Sequence, residues 1–347
     1  MIKMRKSKIV ENCFLVIGLV ALSVMVYSYG IGEIWNNINS IGWRFAWILL
    51  IWFVTYIMNA AAWQLIICED RQMWRRIPFP YILKLTITGY AINYATPLGL
   101  MGGEPYRVME LRRFVGTGKA TSSVILYSMM HIFSHILFWL FSILLTILVL
   151  PVSEPLAYVL GCTFVFCCVL SVLFVRICTK GMAAYSLRTL ARFPFFGKSI
   201  ARFNAKNHET IALIDSQISQ LHRQSKTRFY VPLLIELFAR VFACLEIYLI
   251  VLFAGQHLTF LQCVLSVAFT SLFANLFFFL PLQLGTREGG FVLALKAFSF
   301  PQSLGMSISM VTRIREFFWI AVGMFIMKIE RKNMKAITET LPQNDMP

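Results

Sequence analysis

The chain has 347 residues, 58% of them apolar, 15% aromatic and 14% charged, with a mean hydropathy of +0.70. A soluble protein is about 45–50% apolar. Here the apolar residues fall in long runs, which excludes an ordinary soluble domain and describes a polytopic membrane protein. Lys and Arg number 32 against 16 Asp and Glu, a formal charge of +16; the bases cluster between apolar runs, where they act as topology signals and attract anionic headgroups rather than nucleic acid.

Lys3, Arg5, Lys6 and Lys8 precede an apolar run over about 9–29 that is long enough to span, and they place its start in the cytoplasm. The nearly neutral loop 30–42 lies outside. A second span covers about 43–67, opened by the interfacial aromatics Trp43 and Trp47 and followed on the inner side by Arg71, Arg75 and Arg76. Residues Tyr81 to Tyr94 are apolar but too short to cross alone, since a crossing takes about 20 residues. They run into a break, Tyr94-Ala-Thr-Pro-Leu-Gly-Leu-Met-Gly-Gly-Glu104-Pro-Tyr-Arg107, with two prolines and three glycines. Arg107, Arg112, Arg113 and Lys119 do not suit an outer loop, so the break over Pro97–Pro105 reads as a re-entrant pair of half-helices that enters from the cytoplasm and returns there.

Ala120 to Leu150 crosses outward and carries His131 and His135, four apart and so on one face. Leu156 to about Val175 returns. The segment 176–228 is the most basic part of the chain and repeats Ile200, Phe203, Ile211, Ile214, Ile218 and Leu221 at helical spacing. An amphipathic helix on the inner leaflet and a topology-setting loop explain it equally well. Phe229 to Phe253 crosses outward with Glu236, Arg240 and Glu246 inside it. Leu261–Leu280 runs into a second break, Phe279-Leu-Pro-Leu-Gln-Leu-Gly-Thr-Arg287-Glu288-Gly-Gly290. Phe291–Ser299 is again too short to span. Leu304–Met327 then crosses inward with Arg313, Arg315 and Glu316, and Lys328, Arg331, Lys332 and Lys335 place the C-terminus inside. The eight cysteines lie in or at the edges of apolar runs without a CxxC and histidine set, so they read as small buried hydrophobes.

The two breaks then sit in opposite orientations, in repeats over about 43–150 and 229–328 linked by 156–228. The fold class expected is an all-α polytopic membrane protein of two inverted-topology repeats, each with a broken, re-entrant helix pair. Such helices meeting near the midplane form a transporter architecture. Residues 1–330 make one transmembrane domain and 331–347 a disordered cytoplasmic tail.

Charge at membrane depth points to function. Half-helix N-termini favour an anion. Gly102, Gly103, Gly289 and Gly290 permit close backbone approach. Arg107 and Arg287 can grip a phosphate by paired hydrogen bonds, with Glu104 and Glu288 orienting them or carrying a coupling proton. A buried structural ion pair at an irregular turn is the competing account. Arg313, Arg315 and Glu316, with Arg240 and Glu236, complete a cavity or pair as glue between helices. Glu236 and Arg240, four apart, can pair with each other. Lys84, Asn93, Asn275 and Lys296 flank the breaks. Histidines at i and i+4 without a third ligand are a weak metal signal, so packing or interhelical hydrogen bonding is the better account of His131 and His135. No Walker loop, dinucleotide fingerprint, nucleophile elbow or HExxH is present, and no metal or cofactor is expected.

These same residues resemble the flippase-like family that includes the membrane domain of lysylphosphatidylglycerol synthase. Its first-half Pro-Gly-x-x-Gly-Glu-x-x-Arg break stands here as Thr96-Pro-Leu-Gly-Leu-Met-Gly-Gly-Glu104-Pro-Tyr-Arg107. Its second-half Leu-Pro-x-x-Gly-x-Arg-Glu-Gly break stands as Leu280-Pro-Leu-Gln-Leu-Gly-Thr-Arg287-Glu288-Gly289, and its Arg–Glu helix as Arg313-Ile-Arg315-Glu316. The resemblance covers about 10–330. It implies movement of a phospholipid or polyprenyl-phosphate-linked lipid between leaflets of the bacterial inner membrane; with the charged residues above, the expectation is an anionic lipid whose headgroup phosphate binds between the breaks. It includes no aminoacyl-transfer domain, so lipid aminoacylation is not implied. Leu-Gln-Leu after Pro281, in place of a glycine-rich pair, makes the second break stiffer than the family pattern. A membrane glycosyl- or aminoacyl-lipid transferase and a non-transporting envelope scaffold are the alternatives.

Overall fold

Backbone inside a bilayer must satisfy its own hydrogen bonds, and in the computed structural model the described residues do so with helices alone. Those residues are 41–95, 102–149, 154–180, 226–276 and 285–340, with Arg202, Ala212 and Ser216. The apolar run 9–29, nearly all of the loop after it, the tips of both breaks (96–101 and 277–284), most of the basic segment and 341–347 lie outside them.

A short 3-10 turn, Gly42–Arg44, leads into α1 (Phe45–Ile67). Then come α2 (Arg71–Arg76), α3 (Phe79–Ala95), α4 (Gly103–Val149) and α5 (Glu154–Lys180). The second half holds α6 (Lys226–Ala243), α7 (Leu245–Phe253), α8 (Phe260–Leu276), α9 (Thr286–Ala297) and α10 (Gln302–Thr340). Three described stretches are long and apolar enough to cross a membrane: Gly42–Ile67, Gly103–Val149 and Ala157–Arg176. On α5, Val159, Val165, Phe166, Val169 and Val172 are all exposed, a surface suited to hydrocarbon rather than water. The chain is a helical membrane protein.

Several sequence-based boundaries move. The first break was expected over Pro97–Pro105, but α4 already begins at Gly103 and takes Pro105 into its first turn, where a missing N–H costs nothing. At Gly116-Thr-Gly-Lys119 only one residue leaves helical geometry: Gly116 adopts φ 77° and ψ 164°, and the helix continues on both sides as a bent 47-residue rod. The span expected over Phe229–Phe253 begins at Lys226 and is two helices joined at Cys244. Arg287 and Glu288 are not in a loop but in the first turn of α9. Finally, α10 passes the expected end at Met327 and runs to Thr340. Helices α3 and α8 each have 17 residues, about 26 Å at 1.5 Å per residue and short of the roughly 30 Å hydrocarbon core.

The two halves interlock. Helix α1 lies along α6, α3 along α10, and α4 along α6, while α9 packs between α8 and α10. The tightest crossings are made where a side chain is missing. A Cβ on Gly103 would stand 2.2 Å from the carbonyl oxygen of Gly89, and one on Gly323 would stand 2.4 Å from Cβ of Ala91. The first crossing fixes α4 against α3 beside the break, and the second fixes α10 against α3. Gly323→Val forces α10 off α3 and is expected to cost about 1–3 kcal/mol. Thermal unfolding in detergent checks this, and an unchanged transition temperature would show that the crossing tolerates a side chain.

Candidate functional site

The first turn of α4 is tied to the end of α3 by one side chain. Asn93 Oδ1 accepts from the Gly103 backbone N–H (2.7 Å), and its Nδ2 donates to Glu104 Oε1 (3.1 Å). Asn93 thus satisfies one of the orphan donors of the helix start and orients the acid beside it. Gly102, just before, is buried. One turn on, Arg107 is 2% exposed, and its guanidinium is held mainly by aromatic faces. Its Cζ stands 5.5 Å from the Trp63 ring, 4.9 Å from Tyr90 and 5.5 Å from Tyr127, which is cation–π range. Polar partners are sparse. Nη2 donates to Thr86 O at 3.4 Å, and Nη1 lies 3.9 Å from Glu104 Oε1. Nε has no hydrogen-bond partner among the described residues, nor does Glu104 Oε2. A guanidinium has five donors, and on Arg107 the one on Nε is left without an acceptor among the described residues.

The second break resumes as α9, and Glu288 caps it: Oε2 accepts from the Gly285 N–H (2.8 Å) and Oε1 from Ser309 Oγ (3.2 Å). The sequence reading set Glu288 to orient Arg287. Instead Arg287 is ion-paired with Glu316 on α10, and Glu288 faces Arg313 Nε at 3.5 Å. Arg313 Nη1 also lies 3.5 Å from Glu316 Oε2. Arg315 grips Glu246 of α7 with two bonds, Nε to Oε1 at 2.9 Å and Nη2 to Oε2 at 3.1 Å. Trp52 of α1 completes this knot, its Nε1 donating to Glu246 Oε2 (2.7 Å) while its ring lies 3.7 Å below Arg315 Cζ. Three arginines and three glutamates therefore cancel, with Arg313, Arg315, Glu246 and Glu316 nearly closed off and Arg287 and Glu288 at 16% and 18% side-chain exposure. Gly290 rather than Gly289 makes the close approach: a Cβ there would sit 3.0 Å from Thr270 Cα, whereas Gly289 meets only Phe273 at 4.0 Å.

Glu236 and Arg240 do not share a bond with each other, as their spacing had allowed. Glu236 Oε2 meets His131 Nδ1 at 2.7 Å. Arg240 donates to Ser134 Oγ (3.1 Å) and to the His131 carbonyl oxygen (3.1 Å), and faces the His135 ring. The two histidines are thus interhelical hydrogen-bonding groups between α4 and α6. Lys84 lies over the Tyr81 ring at 4.5 Å, Asn275 donates to Ser271 O at 2.7 Å, and Lys296 is exposed in the last turn of α9.

The end of α3 separates the first two clusters. Asn93 bonds Glu104, while the next residue, Tyr94, lines a narrow crevice with Tyr56, Arg315, Glu316 and Trp319. Sequence reasoning missed Glu246 as the partner of Arg315. Its charge in an apolar run was the available signal, but its partner lies 69 positions away. The ring of Trp63, Tyr90 and Tyr127 carried no signal among 31 Phe, 12 Tyr and 8 Trp. Glu246→Ala leaves Arg315 without its two-bond partner and is expected to cost about 3–5 kcal/mol, with much of it recovered in Glu246→Leu/Arg315→Met. Detergent melts of both variants check it; a single variant as stable as the parent removes the knot from the account of stability.

A family model described as the lysylphosphatidylglycerol synthase TM region matches residues 13–323. No curated protein and no solved structure matches the chain.

Proposed function

The chain belongs to the lysylphosphatidylglycerol synthase transmembrane-region family, and on that premise we propose that it moves an anionic lipid across the bacterial inner membrane, binding the headgroup phosphate between its two broken segments. The lipid is a phospholipid or a polyprenyl-phosphate-linked lipid. The observation that carries this reading is Arg107: a buried guanidinium at a half-helix start, held by three aromatic faces, with Nε unbonded among the described residues. A phosphate supplies the acceptors that such a fork lacks. Arg287 stands at the equivalent start in the second half, more exposed than the other arginines of its cluster.

The parallel order of elements supports inverted repeats. In each half a 17-residue helix, α3 or α8, precedes a break, and the break resumes as a helix with a glutamate in its first turn. Membrane transport sites sit where such half-helices meet. In this reading both termini are cytoplasmic, the segment 176–228 gathers anionic lipid at the inner leaflet, and the two halves rock about the end of α3 while the tail stays in hydrocarbon.

A second reading, a membrane scaffold that moves nothing, is favoured by the charge balance around Glu316. Its arginines and glutamates are mutually paired, and the crevice beside them is narrow. One experiment separates the two. Purified chain in proteoliposomes is given fluorescent phosphatidylglycerol or a short polyprenyl phosphate. Arg107→Ala and Arg287→Ala should each slow transfer about tenfold or more, a barrier change of about 1.4 kcal/mol. Leu234→Ala, on a lipid-facing position, should transfer at the parent rate. The lipid that moves names the substrate class. Equal rates for parent, variants and empty vesicles with both lipids would select the scaffold.

A further inference from the structure

One aromatic layer away from Arg107 lies a polar pair that the proposed headgroup site does not use. His131 Nδ1 and Glu236 Oε2 are 2.7 Å apart. Glu236 is 2% exposed, and its Oε1 has no hydrogen-bond partner among the described residues. The His131 side chain is 27% exposed, so the pair joins a sealed carboxylate to an imidazole that reaches its surroundings.

The groups facing this pair come from four helices. On α4 itself stand Tyr127 and His135. From α3, the Tyr90 hydroxyl lies 3.3 Å from His131 Nδ1 and 3.2 Å from the Tyr127 hydroxyl. From α6 comes Arg240, bonded to the His131 carbonyl oxygen. From α1, Asn59 donates to the Tyr90 hydroxyl at 3.3 Å. Of the other helices packed on α4, α5 brings Phe174 onto Phe133 with the Cys167 thiol buried in the same cluster, and α8 brings Ser271 onto Trp139.

Charge accounts for what the pair can do. Arg240 Nη1 stands 2.6 Å from His135 Nε2. A guanidinium only donates, so that ring nitrogen accepts and His135 is neutral. With His131 also neutral, Arg107 and Arg240 cancel Glu104 and Glu236. A phosphate monoanion at Arg107 leaves one excess negative charge in a region of low dielectric, which is costly. One proton on the His131–Glu236 pair removes it. The rings between are Tyr90 and Tyr127, centred 5.7 and 6.2 Å from the His131 ring and 4.9 and 5.5 Å from Arg107 Cζ. Two unit charges about 10 Å apart at an effective dielectric of about 20 shift an equilibrium roughly tenfold.

We propose that His131 and Glu236 form a proton-binding site linked to Arg107 across Tyr90 and Tyr127, so that an anionic headgroup is taken up together with one proton. This rests on the headgroup reading above and adds its coupling ion. Linkage supplies the test: a ligand whose binding takes up a proton binds more weakly as pH rises, by up to about tenfold per pH unit. The probe is short-chain dihexanoyl-phosphatidylglycerol, titrated by calorimetry into the purified full chain in detergent between about pH 6 and pH 9. The parent Kd should rise with pH by about tenfold in all, the size of that coupling. Glu236→Gln, which carries the neutralised charge permanently, should keep the tight low-pH Kd throughout; this also shows that the variant is folded. A pH-independent parent Kd overturns the proton site and leaves the headgroup reading standing. A Glu236→Gln Kd that still follows pH like the parent also overturns it. Absence of saturable binding by the parent at any pH overturns the headgroup reading, and this inference with it.

Discussion

Charge removed from water has to be compensated within a few ångströms, and the three polar clusters of this bundle are three ways of meeting that demand. Around Glu316 compensation is ionic, with each arginine facing a carboxylate and Trp52 closing the last edge of Glu246. Between α4 and α6, Arg240 is met by neutral groups, a serine hydroxyl, a backbone carbonyl and the His135 imidazole. At Arg107 compensation falls mainly to aromatic quadrupoles. The first way spends its arginines on carboxylates, whereas the last leaves Nε of Arg107 without an acceptor among the described residues. In the proposed reading that difference, more than burial or net charge, singles out Arg107 as the arginine that takes the headgroup.

All three clusters depend on α3. Its residues 90, 93 and 94 face three different neighbours: Tyr90 the histidine pair, Asn93 the first turn of α4, and Tyr94 the crevice beside Glu316. That helix is seated by absent side chains, since Gly103 comes up against the Gly89 carbonyl, Gly89 leaves room for the Arg107 guanidinium, and Gly323 lets Ala91 approach. One short helix thus touches all three clusters with residues near its end.

Much of this was legible in the sequence, and the part that was not has a common cause. Apolar runs located the helices, and Pro with Gly located both breaks, because these are properties of a few adjacent residues. Glu104, Arg107, Arg287, Glu288, Arg313, Arg315 and Glu316 stood out because charge is rare in such runs. Pairing was another matter. Local spacing suggested Arg287 with Glu288 and Glu236 with Arg240, yet neighbours on a helix lose to partners across it when the bundle brings a better geometry: Glu316 for Arg287, His131 for Glu236. Boundaries failed for a simpler reason. Proline in a first turn and glycine at a bend keep a helix going, so Pro105 and Gly116 look like stops in a string of letters and are not stops in space.

Helix α5 carries a different consequence. With its valines and phenylalanines facing outward, it takes its solvation from acyl chains rather than from the rest of the protein. Its hold on the bundle narrows to contacts such as the stacked rings of Phe133 and Phe174, 3.9 Å apart. The tilt of such a helix follows the thickness of the surrounding hydrocarbon, because mismatch is relieved by tilting at a cost of fractions of a kcal/mol per ångström. Since α5 is the next helix after α4, and α4 carries both Arg107 and His131, the acyl-chain length of the host membrane becomes a mechanical input to the polar centre.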